Sequence, residues 1–229
     1  MDSSRRSECL PDTRTDILKF VVDWVDNPPS QQNILWLHGL AGSGKSTLST
    51  TIANIFRKSN RLGAFLFFDR DVSERSDPTM VIRTLAHQLA SSNLCLGEAI
   101  RAVVEKNSNI HMSPLRFQFQ KLIFDPLSAM ADTNLRVLVV LDALDECGTA
   151  EDRENLLAVL ANNFIHLPSS MRTIITSRAE IDIYIMPLCL NTTSSHSNWI
   201  LPRELTLVIF CRTFDIVCHS YAIENHTCG

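Results

Sequence analysis

One short run limits the architecture more than any other. It is an apolar segment, a glycine-rich turn and a lysine opening a helix: ILWLHGLAGSGKSTL, from Ile34 to Leu48. Gly39, Gly44, Lys45 and Ser46 satisfy the spacing G-x-x-x-x-G-K-[ST] of a phosphate-binding loop, the Walker A motif. Glycines let successive backbone N–H groups curl around a polyphosphate where a Cβ would obstruct the turn or the ligand. The helix that follows directs its dipole and its unpaired amides at the same anion. The expected nucleotide contacts are therefore Gly39, Leu40, Ala41, Gly42, Ser43, Gly44, Lys45, Ser46 and Thr47. Lys45 would reach the β- and γ-phosphates and the Ser46 hydroxyl would ligate Mg2+. A chance glycine turn would not predict what flanks it. Residues 33–39 are a nearly continuous apolar run, as in a buried parallel strand, and Leu48, Ile52, Ile55 and Phe56 stripe a helix over 45–57.

The same alternation runs through most of the chain. Residues 13–25 predict an amphipathic helix with Ile17, Phe20, Val21, Trp24 and Val25 on one face, a capping box of Thr13 and Asp16, and a stop at NPPS. GAFLFF (63–68) predicts a buried strand, and residues 78–124 are mostly helical, with apolar positions at 81, 82, 85, 86 and 89. RVLVVLDALDEC, within 135–147, is the clearest strand, RENLLAVLANNF a helix, and MRTIITSR (171–178) a strand ending in arginine. Strands alternating with helices indicate a mainly parallel sheet covered on both faces, a three-layer α/β sandwich.

Asp142 follows five apolar residues, Val137 to Leu141, at the carboxyl end of a buried strand, where ligands of such sheets bind. A carboxylate there can hold Mg2+ through water, the Walker B role. Asp145 and Glu146, three and four residues on, are candidates to orient or deprotonate the water that attacks a γ-phosphate. Arg178 closes its strand at the same edge, where a guanidinium could read the γ-phosphate. The expected catalytic set is Asp145, Glu146 and Arg178, and the expected metal set Ser46 and Asp142.

Composition removes other classes. With 21 Lys+Arg against 25 Asp+Glu the formal net charge is −4, so no excess positive field exists to displace counterions from a nucleic acid. The polar opening MDSSRRSECLPDTR has no apolar core of an export signal, and LTLVIFC (205–211) is too short to span a bilayer. The expectation is a cytoplasmic protein with no membrane partner. Seven cysteines without a C-x-x-C pair are expected to be reduced thiols. From Leu188 onward lysine disappears and charge thins, so residues 188–229 are expected to be a divergent or poorly ordered tail, residues 1–12 a flexible segment, and 13–187 the domain.

LHGLAGSGKSTL, GAFLFFDRD, RVLVVLDALDEC and RTIITSR together resemble the NACHT-type NTPase domains of the STAND class, especially those of fungal NOD-like receptor proteins. The stretch from CLPDTRTDILKFVVDW into the phosphate loop is similar to how such domains begin, and the likeness covers roughly residues 9–183. It implies an ATP- or GTP-dependent signalling switch, Mg2+ as cofactor, and oligomers with related NTPase domains. It also gives Asp145 and Glu146 the hydrolytic water and Arg178 a sensor position. Such proteins continue into a helical lid, a winged-helix element and repeats, and too little follows Arg178 to hold them. The expectation is a truncated module that binds ATP or GTP, with ATP favoured, and hydrolyses it slowly. The alternative is a non-hydrolysing scaffold or decoy that binds full-length relatives. A small-molecule P-loop kinase is disfavoured by the acidic pair, which suits water activation.

Overall fold

The computed structural model describes residues 6–26, 32–130, 136–164, 166–168, 171–178 and 206–211. The chain runs α1 (Thr15–Asp26), β1 (Gln32–His38), α2 (Lys45–Lys58), β2 (Leu62–Phe67), α3 (Ser73–Ser76), α4 (Val81–Ser92) and α5 (Leu94–Lys106). Then come α6 (Leu115–Phe119), a π-helical turn (Gln120–Phe124), α7 (Asp125–Ala129), β3 (Val137–Asp142), α8 (Ala150–Phe164), β4 (Met171–Ser177) and β5 (Thr206–Cys211). The strand order is β2-β3-β4-β1-β5. The first four strands are parallel and β5 joins β1 antiparallel. This is the expected α/β sandwich with a mainly parallel sheet. The one described piece of the tail extends that sheet by an edge strand.

Period-two side-chain alternation sorts the strands into two cores. Ile34, Trp36, Leu66, Val139, Leu141 and Ile175 face α4 and α8, where Ile82, Leu85, Leu89, Leu156, Leu160 and Phe164 meet them. Leu35, Leu37, Phe65, Phe67, Val140 and Ile174 face the other way, against Ile17, Val21 and Trp24 of α1 and Leu48, Ile52 and Phe56 of α2. A sheet buried on both faces needs no polar face, which is why β2 and β3 read as nearly unbroken apolar runs, while β4 buries Arg172, Thr173, Thr176 and Ser177 among its apolar residues. At the outer edge of β2, the Phe65 N–H donates to the Gln88 side-chain carbonyl of α4 at 2.8 Å.

Several local expectations are corrected. The capping box does not form: the Thr13 hydroxyl donates to Leu10 O at 2.6 Å, and Asp12 and Arg14 take φ of 60° and 59°. That tight turn starts α1 at Thr15 and aims Arg14 at the phosphate loop. Ile55, placed on the buried stripe of α2, is 37% exposed, because Ala53 and Phe56 complete that face instead. Within 135–147 the strand spans Val137–Asp142 and ends at the acid, as expected; Ala143 at φ 60° breaks it and residues Leu144–Glu146 form a 3-10 turn.

Candidate functional site

The parallel strands deliver their carboxyl ends to one edge. His38 of β1 pairs with Ser177 of β4, and Asp142 of β3 pairs with Phe67 of β2. The phosphate loop, Asp142 and Arg178 therefore emerge side by side, with β4 between the loop strand and the acid strand.

Gly42 and Gly44 take φ of 78° and 77°, a region that L side chains rarely adopt, so glycine is required for this turn. A Cβ on Gly42 would project into open space. Gly44 is the N-cap of α2 and supplies no side-chain cap. The first-turn N–H groups of the helix, which have no intrahelical partner, are thus left to a ligand. Lys45 folds back on its own loop, donating to Gly39 O at 2.8 Å and Leu40 O at 2.9 Å. Burial lowers its pKa below the usual lysine range and Arg178 adds to this, while Asp145 and Asp142 act in the opposite direction. A half-buried ammonium resting on carbonyl oxygens is a cation held ready for an anion. Arg14 backs the loop from outside, donating to Ser43 O at 2.6 Å and Gly44 O at 3.1 Å.

Asp142 is fully buried, and its two oxygens have different company. Oδ1 accepts from the Ser49 hydroxyl at 2.8 Å and the Thr176 hydroxyl at 2.6 Å. Thr176 Oγ1 in turn accepts the Ala143 N–H at 2.9 Å, so the carboxylate and the turn after it are fixed by one side chain. Oδ2 accepts from Arg6 Nη1 at 2.6 Å. With Oδ1 satisfied by neutral donors, Oδ2 carries the exchangeable interaction. A hard cation takes carboxylate and hydroxyl oxygens, and Asp142 Oδ2 and the Ser46 hydroxyl are the groups at this edge that would hold one.

The acidic turn divides into two roles. Asp145 is buried and holds Arg178, accepting its backbone N–H at 3.0 Å and lying 3.3 Å from its Nε. Glu146 is more exposed and lies 3.5 Å from Arg178 Nη2. Of the two, Glu146 has the freedom to reach a water, while Asp145 positions Arg178. Arg153, buried on α8, clamps the turn from below: its Nη1 donates to Asp145 O, Cys147 O and Gly148 O at 2.8, 3.0 and 3.1 Å.

His38 closes the base of the site beneath Lys45. Burial, with help from the Lys45 charge, lowers its pKa to about 4, so it is neutral at pH 7. The Trp36 ring stacks 4.5 Å from it, and the Trp36 N–H donates to Ser177 Oγ at 2.9 Å. Away from the loop, a cavity of about 760 Å³ opens past the acidic turn, lined in part by Arg70, Asp77, Thr149 and Asp152.

Every residue expected at the site lies at this one sheet edge. Sequence reasoning passed over Arg6, Arg14, Ser49, Arg153 and Thr176. Ser49 stands one helical turn after Ser46 and Thr176 two residues before Arg178, spacings that put them within reach of Asp142. The arginines carried no such signal.

A glycine-cradled helix start, and a buried carboxylate two strands away in a parallel sheet, define a P-loop NTPase-like α/β sandwich. The chain belongs to the family described as Nephrocystin 3, N-terminal, whose model matches residues 13–178. No curated protein and no solved structure matches the chain.

Proposed function

We propose that this domain is a nucleoside triphosphate switch module that takes ATP in preference to GTP, with Mg2+, and hydrolyses it slowly. The observation that carries this reading is the uncapped start of α2 behind two left-handed glycines, with Lys45 parked on its own loop's carbonyls. These are the donors a polyphosphate requires, with Lys45 resting on carbonyl oxygens that a phosphate would outcompete. Ser46 and Asp142 are the groups that would hold Mg2+, which supplies neutralisation of phosphate charge. Glu146 orients the attacking water, Arg178 faces the terminal phosphate, and Asp145 and Arg153 keep both in place. In kind, the module is a NACHT-like domain of the STAND class, of the NOD-like receptor type, that works in signalling and assembles with itself or with related NTPase domains.

The test is titration of the purified chain with fluorescent ATP, ADP and GTP analogues, with Mg2+ and with EDTA, beside Lys45→Ala. Saturable binding at about micromolar dissociation constants, near −8 kcal/mol, is expected for the wild type. At least tenfold weakening is expected in the variant. A folded wild type that binds none of the three would overturn the reading and leave a non-hydrolysing scaffold for related proteins.

A further inference from the structure

The segment ahead of α1 enters the site. Arg6 donates to Asp142 Oδ2 at 2.6 Å, and its guanidinium stacks 4.5 Å from the Phe67 ring, at the end of the strand beside Asp142. Three further contacts tie the following residues to α2 and the loop that starts it. The Glu8 carboxylate accepts from Asn54 Nδ2 at 2.7 Å, the Cys9 N–H donates to Thr51 Oγ1 at 2.8 Å, and Arg14 grips Ser43 O and Gly44 O. Residues 6–14 thus form a strap along the nucleotide-site helix, with one arginine ending on the carboxylate that the proposed function assigns to metal.

Both Oδ1 bonds come from neutral hydroxyls, so Arg6 is the cation that balances the buried Asp142 charge. A divalent cation or its water would need the same Oδ2 lone pairs. A guanidinium and a divalent cation on that one oxygen would repel each other at a few ångströms in a buried setting, so each weakens the other's hold on it. We propose that Arg6 and Mg2+ are mutually exclusive partners of Asp142, and that the 6–14 strap is an internal gate which must release before metal-nucleotide settles in the site. This rests on the nucleotide reading of the same site. The aromatic contact with Phe67 is anchored on the sheet and not on the carboxylate, so it resists release and sets how tightly the gate is held.

The experiment uses the full chain with Lys45→Ala as the control for specific binding. Affinity for a fluorescent ATP analogue is measured in Mg2+ and in EDTA for wild type, Arg6→Ala and Thr51→Val. The ratio of the two affinities is expected to rise at least tenfold in Arg6→Ala. It should rise by a smaller factor in Thr51→Val, which loosens the strap and leaves the Asp142 contacts alone. Hydrogen exchange at residues 6–14 is expected to quicken when Mg2+ and ATP are added to wild type, and to stay slow with ATP in EDTA. Lys45-dependent binding with the same metal ratio in all three proteins, and unchanged exchange at the strap, overturns the gate and leaves the nucleotide reading standing. Absence of Lys45-dependent binding in every protein overturns the nucleotide reading itself. If Arg6→Ala does not fold, Thr51→Val and the wild-type exchange pattern decide.

Discussion

His38 makes acid stability a residue-scale question. Its folded pKa of about 4 lies below the unfolded value of 6.5, so the unfolded chain binds the proton first. Stability is therefore undiminished above about pH 6.5 and is lost as pH falls toward 4, by about 3 kcal/mol in all. Urea midpoints across that range should fall for the wild type and fall less for His38→Gln. Lys45 gives a second prediction of the same kind. Its ammonium is destabilised by burial in the free protein, and a bound polyphosphate would restore its proton affinity. Nucleotide binding at alkaline pH, below the ordinary lysine range, should therefore take up protons. Calorimetry in two buffers of different ionisation enthalpy should detect that uptake in wild type and lose it in Lys45→Met. Two ionisable groups seven residues apart thus set opposite ends of the pH range.

At the scale of elements, the acidic turn depends on a helix that contributes no predicted site residue. Arg153→Leu would leave two buried carbonyls and one part-buried carbonyl without their shared donor and is expected to cost about 3 kcal/mol. Arg153→Lys should recover only part of this, because an ammonium cannot reproduce the planar fork. Guanidinium denaturation midpoints of the three proteins check the order. What the sequence disclosed of these elements follows from their environment. β1 and β3 were legible because strands buried on both faces carry continuous apolar runs (Ile34 to Leu37, Val137 to Leu141), β4 because its short β-branched centre, Thr173 to Thr176, suits a strand, and α4 because Val81, Ile82, Leu85, Ala86 and Leu89 keep one helical face. The turn before α2 was legible because only glycine suits the left-handed backbone that Gly42 and Gly44 adopt there. The start of α1 was not, since Thr13 found a local carbonyl before it could cap a helix. Nor was the role of Arg6, Arg14 or Arg153, because an arginine looks alike in sequence whether it is solvated or bound to a distant carboxylate or carbonyl. Asp145 and Glu146 looked equivalent as neighbours, and burial is what separated them.

For the whole molecule, the sheet divides two cores that share no side chain, so each should carry its own part of the stability. Ile82→Val on the α4 face and Ile52→Val on the α2 face are both fully buried positions, and each is expected to cost about 1 kcal/mol. The double variant should lose the sum within about 0.5 kcal/mol, as read from urea unfolding. Coupling larger than that would mean that the two layers communicate through the strands. Among the described residues no helix is long and apolar enough to cross a membrane. How strands of another copy could add to this sheet is constrained at one margin. The Gln88 side-chain carbonyl already takes the Phe65 N–H that β2 would offer a neighbour, whereas β5 is the edge strand on the opposite side. A margin blunted in this way is a poor template for another chain's strand. Ribbon-like growth of the sheet from copy to copy, which needs both margins, is therefore opposed on the β2 side.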